Sequence, residues 1–363
     1  MANYDVPKKM RAVVLTAPGK FEIQDVDVPT PGPNEVLCRI GGVAICGSDP
    51  EVVRGDLAGN WPPSYPFIAG HEWAGRVVAV GPNVSTFKVG DRVAGEAHKG
   101  CGFCKNCLAG RYTLCYNYGD AGTGHRHYGF KINGAYAQYA VYHIQSVTPL
   151  PDNVSYREGA MCDTAGVALH GLERSGITPG GSVAVIGPGP IGIMAMKLAK
   201  ALGAARVIVV GRGSRLTSAK NFGCDDAVDF TAGDPVAAVR ELTGGRGVDE
   251  CFECSGAPGT FNQAVRMVRK GGGVVLLGVA TDDVMEPLPF KYVTHNEIAI
   301  YGSRANPNVS WKVLSLISRG NIVVRDMVTH TYPLESFAEG LDTFVKRKDN
   351  VMKVVFLPNG EDA

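Results

Sequence analysis

The sequence lacks the features that mark membrane proteins and nucleic-acid-binding proteins. Its 363 residues carry 36 lysines and arginines against 35 acidic residues, and no basic run offers a surface for nucleic acid or anionic lipid. No apolar run approaches the roughly 20 residues that cross a bilayer, and the polar start lacks the apolar core of a secretory signal. We therefore expect a cytoplasmic protein that binds a small molecule, with neither a membrane nor a nucleic-acid partner.

The ten cysteines do not suggest disulfides, because the cytoplasm is a reducing compartment. Four of them fall in the short stretch GCGFCKNCLAGRYTLC, namely Cys101, Cys104, Cys107 and Cys115. Four thiolates at this spacing can complete a tetrahedral zinc shell that leaves no position for a substrate. We predict a structural zinc that stabilises a small lobe. An iron–sulfur cluster, or four unrelated thiols, are the alternatives.

Two sequence patterns divide the chain and predict an α/β protein of two domains. From Arg11 to about Tyr142, short alternating runs such as EVLCRI and EWAGRVVAV stand between glycines, prolines and asparagines, which is typical of a β-rich domain. From about Thr178, strands alternate with helices and predict a six-stranded, doubly wound parallel sheet. We place the first domain at 1–157, completed by about 304–363, and the second at 158–303.

A glycine-rich turn in the second domain predicts a dinucleotide site. It lies in GSVAVIGPGPIG, directly after an apolar strand and at the start of a helix. The glycines follow the G-x-G-x-x-G pattern, and the helix start offers backbone N–H groups to a pyrophosphate. The candidate cofactor-binding residues of this turn are Gly187, Gly189, Pro190, Ile191 and Gly192.

An absence of acidic residues after this turn bears on the choice of cofactor. A site for NAD usually carries an Asp or Glu at the end of the second strand, yet the segment from Arg174 to Cys224 contains neither. The stretch VVGRGSRL instead offers Arg212, Ser214 and Arg215, which could hold a 2′-phosphate. We predict NADP in preference to NAD, and the alternative is a basic loop with no role in that choice.

Three further side chains of types that bind metals lie on separate turns of the first domain. ICGSDPEV contains Cys46, and AGHEWAG contains His71 and Glu72. A thiolate, an imidazole and a carboxylate form a ligand set for zinc. Asp49 is a candidate partner that would orient the histidine.

Together these motifs resemble the zinc-dependent medium-chain alcohol/polyol dehydrogenase family, which includes the sorbitol and threonine dehydrogenases. The resemblance covers nearly the whole chain and includes CGSD, GHEWAGRVVAVGPNVSTFKVGDRV, GAYAQYAV and GPGPIG. It implies a GroES-like catalytic domain, a Rossmann domain, a catalytic zinc between them in addition to the structural one, and a homodimer or homotetramer.

The resemblance also implies roles for individual residues. Cys46 and His71 would be zinc ligands, and Glu72 a ligand or a nearby carboxylate. In EGAMCDTAGVALHG the remaining ligand falls on Asp163, or on Cys162 if the alignment is shifted by one residue. The alternative for both is the start of a helix, with Asp163 capping its first turn.

Two more residues would handle the proton of the reaction. Ser48 matches the Ser or Thr that hydrogen-bonds the substrate oxygen in the family. Glu51 stands where many members carry a relay histidine, so it either transfers the proton or faces solvent. We expect His125 and His127, in GTGHRHYGF, to lie on a polar surface or a pocket rim.

The function implied is hydride transfer between a nicotinamide cofactor and a secondary alcohol, polyol or amino alcohol and its ketone. A zinc-free quinone or enoyl reductase of the same fold is one alternative, but such members lack the zinc ligands and the cysteine lobe. A nucleotide-binding regulatory protein without turnover is the other.

Overall fold

The computed structural model describes residues 5–280 and 284–360 and consists of two compact units. Met1–Asp163 and Pro307–Ala363 form unit one, and Thr164–Asn306 forms unit two. The domain limits given above remain predictions. Within the described ranges, every helix falls short of the length and hydrophobicity of a transmembrane segment.

The strands of the described chain, in order, are β1 Lys9–Ala17, β2 Lys20–Asp27, β3 Glu35–Ala44, β4 Glu72–Val80, β5 Arg92–Gly95, β6 His98–Lys99, β7 Arg126–His127, β8 Tyr139–His143, β9 Val147–Pro149, β10 Ser182–Ile186, β11 Arg206–Gly211, β12 Asp226–Asp229, β13 Val248–Glu253, β14 Val268–Leu276, β15 Ala299–Gly302, β16 Val328–Pro333 and β17 Lys353–Leu357.

The α-helices of the same residues are α1 Asp49–Arg54, α2 Lys105–Leu108, α3 Tyr156–Ala160, α4 Cys162–Ser175, α5 Pro190–Ala201, α6 Gly213–Asn221, α7 Pro235–Leu242, α8 Thr260–Met267, α9 Phe290–His295, α10 Ser310–Ser318 and α11 Phe337–Lys346. Short 3₁₀ helices cover Tyr112–Leu114, Ala121–Thr123, Ile144–Ser146, Arg325–Met327, Leu334–Ser336 and Lys348–Asn350.

Unit one is built around a mixed, mainly antiparallel sheet in the order β16-β17-β3-β4-β5-β9, with β8 also paired to β3. Strand β3 is its centre, because it pairs with β4, β8 and β17. Gly75 of β4 allows a close approach there, since a Cβ on it would lie 2.2 Å from the Arg39 carbonyl oxygen. The core contains stacked Trp73 and Tyr142, whose ring centroids are 4.1 Å apart.

Unit two contains a six-stranded sheet in which the described strands pair in parallel, in the order β12-β11-β10-β13-β14-β15. Its inner strands are runs of buried apolar residues, such as SVAVI in β10, as expected for a sheet covered on both faces. The order is that of a dinucleotide-binding doubly wound fold. This confirms the predicted α/β class and the parallel sheet.

Candidate active site and metal centres

The antiparallel pairing of β3 and β4 brings the first candidate ligands together. Ala44, at the end of β3, pairs with Glu72, at the start of β4, so Cys46 and His71 lie just beyond the same edge of the sheet. One ligand atom from each of Cys46, His71 and Glu72 lies within 4.8 Å of the others. A sulfur, a nitrogen and an oxygen donor at this separation suit zinc, which takes these donors at about 2.0–2.3 Å.

Asp49, which is fully buried at the start of α1, organises this group. Its Oδ2 accepts hydrogen bonds from the Cys46 backbone N–H at 2.8 Å and from the Tyr136 hydroxyl at 2.6 Å. Its Oδ1 lies 3.5 Å from His71 Nδ1. With Nδ1 facing the carboxylate, Nε2 is the imidazole nitrogen that can reach an ion. The structure therefore brings Asp49 to the histidine.

The charges of this group attract a cation. Burial by itself disfavours an imidazolium, but the negative charges of Asp49 and then of Cys46 raise the pKa of His71 well above its usual value. Burial likewise opposes the ionisation of Asp49, yet the charge of His71 holds the pKa of that carboxyl below its usual value. Anionic donors that stabilise a proton on the histidine also stabilise a divalent ion in its place.

Lys353 completes the surroundings of Glu72, a contact that no sequence motif predicted. It is 2% exposed, and its ammonium donates to the Ile45 carbonyl oxygen at 2.8 Å and to Glu72 Oε2. Burial favours the neutral amine, but the charge of Glu72 and then that of Cys46 raise the pKa of Lys353 above its usual value. The available signal was a lone lysine within the apolar run VMKVVFL.

The two predicted proton-handling residues lie close by in the chain but differ in their surroundings. Ser48 Oγ is buried and has no hydrogen-bond partner within residues 5–280 and 284–360, so a bound substrate could supply one. Glu51 is half-buried on α1 and is not a member of the Cys46 group. Its role as a relay remains a prediction.

The predicted fourth ligand is not a member of that group either. Asp163 is buried in the first turn of α4, which begins at Cys162, as the helix-start alternative described. Its charge adds to the raised pKa of Glu96, for which burial is the main cause. Cys162 Sγ donates to the Ser310 carbonyl oxygen at 3.7 Å, and burial raises the pKa of the Cys162 thiol. Both assignments to the metal remain predictions.

The four cysteines of the predicted lobe form a second candidate metal centre. Their Sγ atoms all lie within 4.8 Å of one another. The Cys101–Cys107 and the Cys104–Cys115 Sγ pairs are each 3.9 Å apart, close to the edge of about 3.8 Å of a sulfur tetrahedron around zinc. Backbone N–H groups of Cys104 and Cys107 point to Cys101 Sγ and Cys104 Sγ at 3.4 and 3.5 Å. The donor set fits a closed, structural zinc.

The glycine turn of unit two has the geometry that a nucleotide requires. Gly187 has a φ of +93°, a conformation that favours glycine. A Cβ on Gly192 would lie 2.0 Å from the Gly187 carbonyl oxygen, so the helix packs directly on the turn. Helix α5 begins at Pro190 with Gly189 as its cap, and Ile191 follows in the first turn. The turn therefore presents backbone N–H groups at the end of β10.

The predicted phosphate clamp follows the end of β11. Arg215 reaches the glycine turn, because its Nη1 lies 3.2 Å from the position of a Cβ on Gly189. The Arg212 guanidinium lies over the ring of Phe230, 5.6 Å from its centroid. Arg212 and Ser214 are exposed, and Arg215 is half-buried.

An aromatic cluster lies next to His71. The Phe130 and His71 ring centroids are 4.6 Å apart, and Phe130 also stacks on His127 at 4.2 Å. Trp61 packs edge-on against Phe130 at 5.0 Å. His125 and His127 are 2% and 3% exposed, so they do not lie on a polar surface, and a position on a pocket rim remains the prediction. A glycine-rich loop between charged residues gave no sign of this burial.

Comparison with known proteins identifies related families in both halves of the chain. Residues 32–152 match the alcohol dehydrogenase GroES-like domain, and residues 190–319 match the zinc-binding dehydrogenase family. A sorbitol dehydrogenase of Bacillus subtilis is 34% identical over 358 residues, which cover 98% of this chain and 99% of the relative. A D-arabitol-phosphate dehydrogenase of Enterococcus avium is 32% identical over 363 residues, covering 98% and 99%.

A solved structure extends the similarity to the fold. A chain from Sinorhizobium meliloti 1021, described as a zinc-binding dehydrogenase bound to NADP, superposes with a TM-score of 0.88 at 30% identity. The match covers 97% of this chain and 100% of that one. The β-rich part of unit one therefore has the predicted GroES-like fold, and unit two the predicted Rossmann fold.

Proposed function

The chain belongs to the zinc-dependent medium-chain alcohol and polyol dehydrogenase family, and we propose that it transfers hydride between a polyol and its ketose with NADP as the preferred cofactor. The observation that carries this proposal is the group of Cys46, His71 and Glu72, whose ligand atoms lie within 4.8 Å of one another. Substrates of the polyol class are supported by the sorbitol and D-arabitol-phosphate dehydrogenases among its relatives.

We propose that Cys46, His71 and Glu72 hold the catalytic zinc and that the four-cysteine lobe holds a second, structural one. When bound, a catalytic zinc supplies Lewis acidity toward an alcohol or carbonyl oxygen. Asp49 keeps the His71 ring oriented, and its bond to the Cys46 N–H fixes the thiolate. Asp163, or Cys162 if the alignment is shifted by one residue, remains the alternative third ligand where Glu72 is only a nearby carboxylate.

The proton of the alcohol requires a separate path. The buried Ser48 hydroxyl can accept that proton's hydrogen bond and donate its own hydrogen onward. Glu51 follows three residues later on α1, half-buried, and would pass the proton to solvent. In the direction of ketone reduction the same two groups return a proton to the substrate oxygen.

In unit two, we propose that the glycine turn holds the pyrophosphate and that the arginines hold the 2′-phosphate. The turn and the start of α5 direct backbone N–H groups to one place. Arg215 lies against that turn, and Arg212 and Ser214 are exposed beside it. The NADP in the related Sinorhizobium structure supports this choice.

The two alternative functions are not favoured. A zinc-free reductase has no use for a cysteine, a histidine and a glutamate whose ligand atoms lie together at a site that favours a cation. A regulatory protein without turnover has no use for the buried Ser48 hydroxyl, which comes two residues after Cys46 in the sequence.

Initial rates on a matched panel test the proposal. Polyols, simple secondary alcohols, threonine and their ketones are each measured with NAD(H) and NADP(H). We expect polyols and ketoses to give the highest kcat/KM, NADP(H) to exceed NAD(H) by about tenfold or more, equivalent to about 1.4 kcal/mol, and H71A to abolish turnover. Reaction of simple alcohols alone would contradict the substrate class, and an NAD(H) preference would contradict the clamp.

We propose a homodimer or homotetramer, which the family resemblance implies. We also propose a location in the cytoplasm, as predicted from the sequence. Sedimentation equilibrium tests the first part, and a concentration-independent monomer mass would contradict it.

A further inference from the structure

We propose that Lys353 is a positioning residue that restricts Glu72 to one ligand oxygen and so keeps a coordination position open for the substrate. This inference rests on the proposed zinc site. The observation behind it is the buried contact between the Lys353 ammonium and Glu72 Oε2 at the edge of the candidate centre.

The fold places this lysine where it can act on two ligands. Strand β17 pairs with β3 through Val355 and Phe356, and β3 pairs with β4, which begins at Glu72. From β17, the ammonium donates to the carbonyl of Ile45, the residue before Cys46, and to the Glu72 carboxylate. A single side chain therefore joins the two segments that carry Cys46 and Glu72.

When zinc is bound, the negative charges of the site require a further buried cation, which the Lys353 ammonium supplies. The Cys46 thiolate and the carboxylates of Glu72 and Asp49 would carry three negative charges at a site where Glu72 and Asp49 are buried and Cys46 is half-buried. A divalent ion neutralises two of them, and the buried ammonium neutralises the third. Without it, one unpaired negative charge would remain inside the protein, which is costly.

The contact between Lys353 and Glu72 also sets how many Glu72 oxygens bind the ion. A catalytic zinc keeps three protein ligands and one position for water or substrate. Cys46, His71 and one oxygen of Glu72 supply the three. Because one lone pair of Oε2 accepts the Lys353 hydrogen bond, we expect Oε1 to be the stronger donor to an ion. Without the ammonium, the carboxylate could bind through both oxygens and fill the substrate position.

The test compares wild-type protein with K353M, which removes the charge and keeps the unbranched chain. Zinc release to a chromogenic chelator is followed, and C46S identifies the phase that belongs to this site. We expect K353M to slow that phase by about tenfold, a rise of about 1.4 kcal/mol in the barrier to release, because a second carboxylate oxygen of Glu72 would then hold the ion. In the cobalt-substituted proteins, imidazole should change the visible spectrum of the wild type and leave that of K353M unchanged.

Two further variants keep the result interpretable. K9M removes another lysine–carboxylate pair, the exposed pair with Asp27, and should not alter zinc release. If Lys353 acts through the Glu72 carboxylate, E72Q and E72Q/K353M should release zinc at rates within twofold of each other. The comparison of E72Q with E72Q/K353M tests the role of Lys353 even if K353M alone does not fold.

The possible failures are distinguishable. Unchanged or faster zinc release from folded K353M, or a difference between E72Q and the double variant, overturns the role of Lys353 and leaves the zinc site standing. If the wild-type chain holds only one zinc and shows no release phase that C46S removes, the proposed function is overturned. The role of Lys353 is then overturned with it.

Discussion

At the residue scale, the candidate centre depends on Asp49, although Asp49 is not one of its three candidate zinc ligands. This one carboxylate contacts the Cys46 backbone and the Tyr136 hydroxyl and faces the His71 ring. A metal ligand whose orientation is not fixed loses affinity even when its donor atom is retained. The sequence offered Asp49 as a candidate partner of the histidine, but nothing in it pointed to Tyr136, which is 87 residues away.

We expect D49N to weaken zinc binding at the Cys46 site by about 10–100-fold, because the amide keeps the shape and loses the charge that orients His71. Competition with a chelator of known affinity measures the change. Y136F removes one hydrogen bond to the same carboxylate and should have a smaller effect. Equal zinc affinities for D49N and wild type would contradict this role.

The choice of cofactor is also decided by single residues. We expect R215A to lower kcat/KM with NADP by about tenfold or more, since a charged hydrogen bond to phosphate contributes about 1.5–3 kcal/mol. The value with NAD should change by less than about threefold. K220A, which removes an exposed charge from the same helix, serves as the matched control. Equal losses with both cofactors would assign Arg215 a structural role.

At the element scale, the four-cysteine lobe has little apolar core of its own. Helix α2 buries no residue, and Phe103, Leu108 and Tyr116 are 62%, 74% and 67% exposed. Metal binding must then supply most of the free energy that orders the segment. The sequence predicted this element because ligand spacing within one loop is a local property.

We expect C107S to abolish ordered structure in residues 101–116 without unfolding unit two. Hydrogen–deuterium exchange should show loss of protection in that segment, and the zinc content should fall by one per chain. C224S, a half-buried cysteine of unit two, is the control. Unchanged exchange in C107S would show that the segment folds without metal.

A buried carboxylate connects this lobe to two other elements. Glu96, which follows β5, accepts hydrogen bonds from Tyr112 of the lobe at 2.5 Å and from Ser310, the first residue of α10, at 3.0 Å. Burial, above all, raises the pKa of Glu96 from 4.5 to about 8. The folded protein thus favours the protonated acid.

This raised pKa predicts a pH dependence of stability. Since the folded pKa exceeds the unfolded one, the contribution of Glu96 is fully present below about pH 4.5 and is lost as pH rises through about 8. Urea unfolding of wild type and E96Q across this range should diverge by at most about 1.4 kcal/mol per pH unit. Parallel curves would show that Glu96 is ionised in the folded state.

At the scale of the whole molecule, the two units differ in whether one continuous stretch of chain forms the whole sheet. All six strands of the parallel sheet come from the described part of Thr164–Asn306. The sheet of unit one instead places the C-terminal strand β17 next to the early strand β3. Unit one therefore cannot complete its sheet until the end of the chain has been made.

We expect a fragment of residues 164–306 to fold alone, because its sheet and its core, including Ile208, Cys251 and Val274, are complete. A fragment of residues 1–163 should not fold, and co-expression with 307–363 should restore it. Dispersed amide NMR spectra measure folding in each case. A folded 1–163 fragment would show that β17 is dispensable.

The sequence by itself determined whatever depends on local spacing. The cysteine lobe, the glycine turn and the change from β-rich to alternating β/α pattern are each readable within a few tens of residues, and they predicted the fold class. The Cys46 and His71 motifs were also local, although their meeting in space was inferred from family resemblance.

Tertiary structure decided the contacts between residues far apart in the chain. Lys353 reaches Glu72 across 281 residues and Ser310 reaches Glu96 across 214, and no sequence pattern encodes either pairing. The burial of His125 and His127 was decided in the same way. The physical reason is that strand pairing sets which distant side chains share a buried space, and charges in that space must be paired locally.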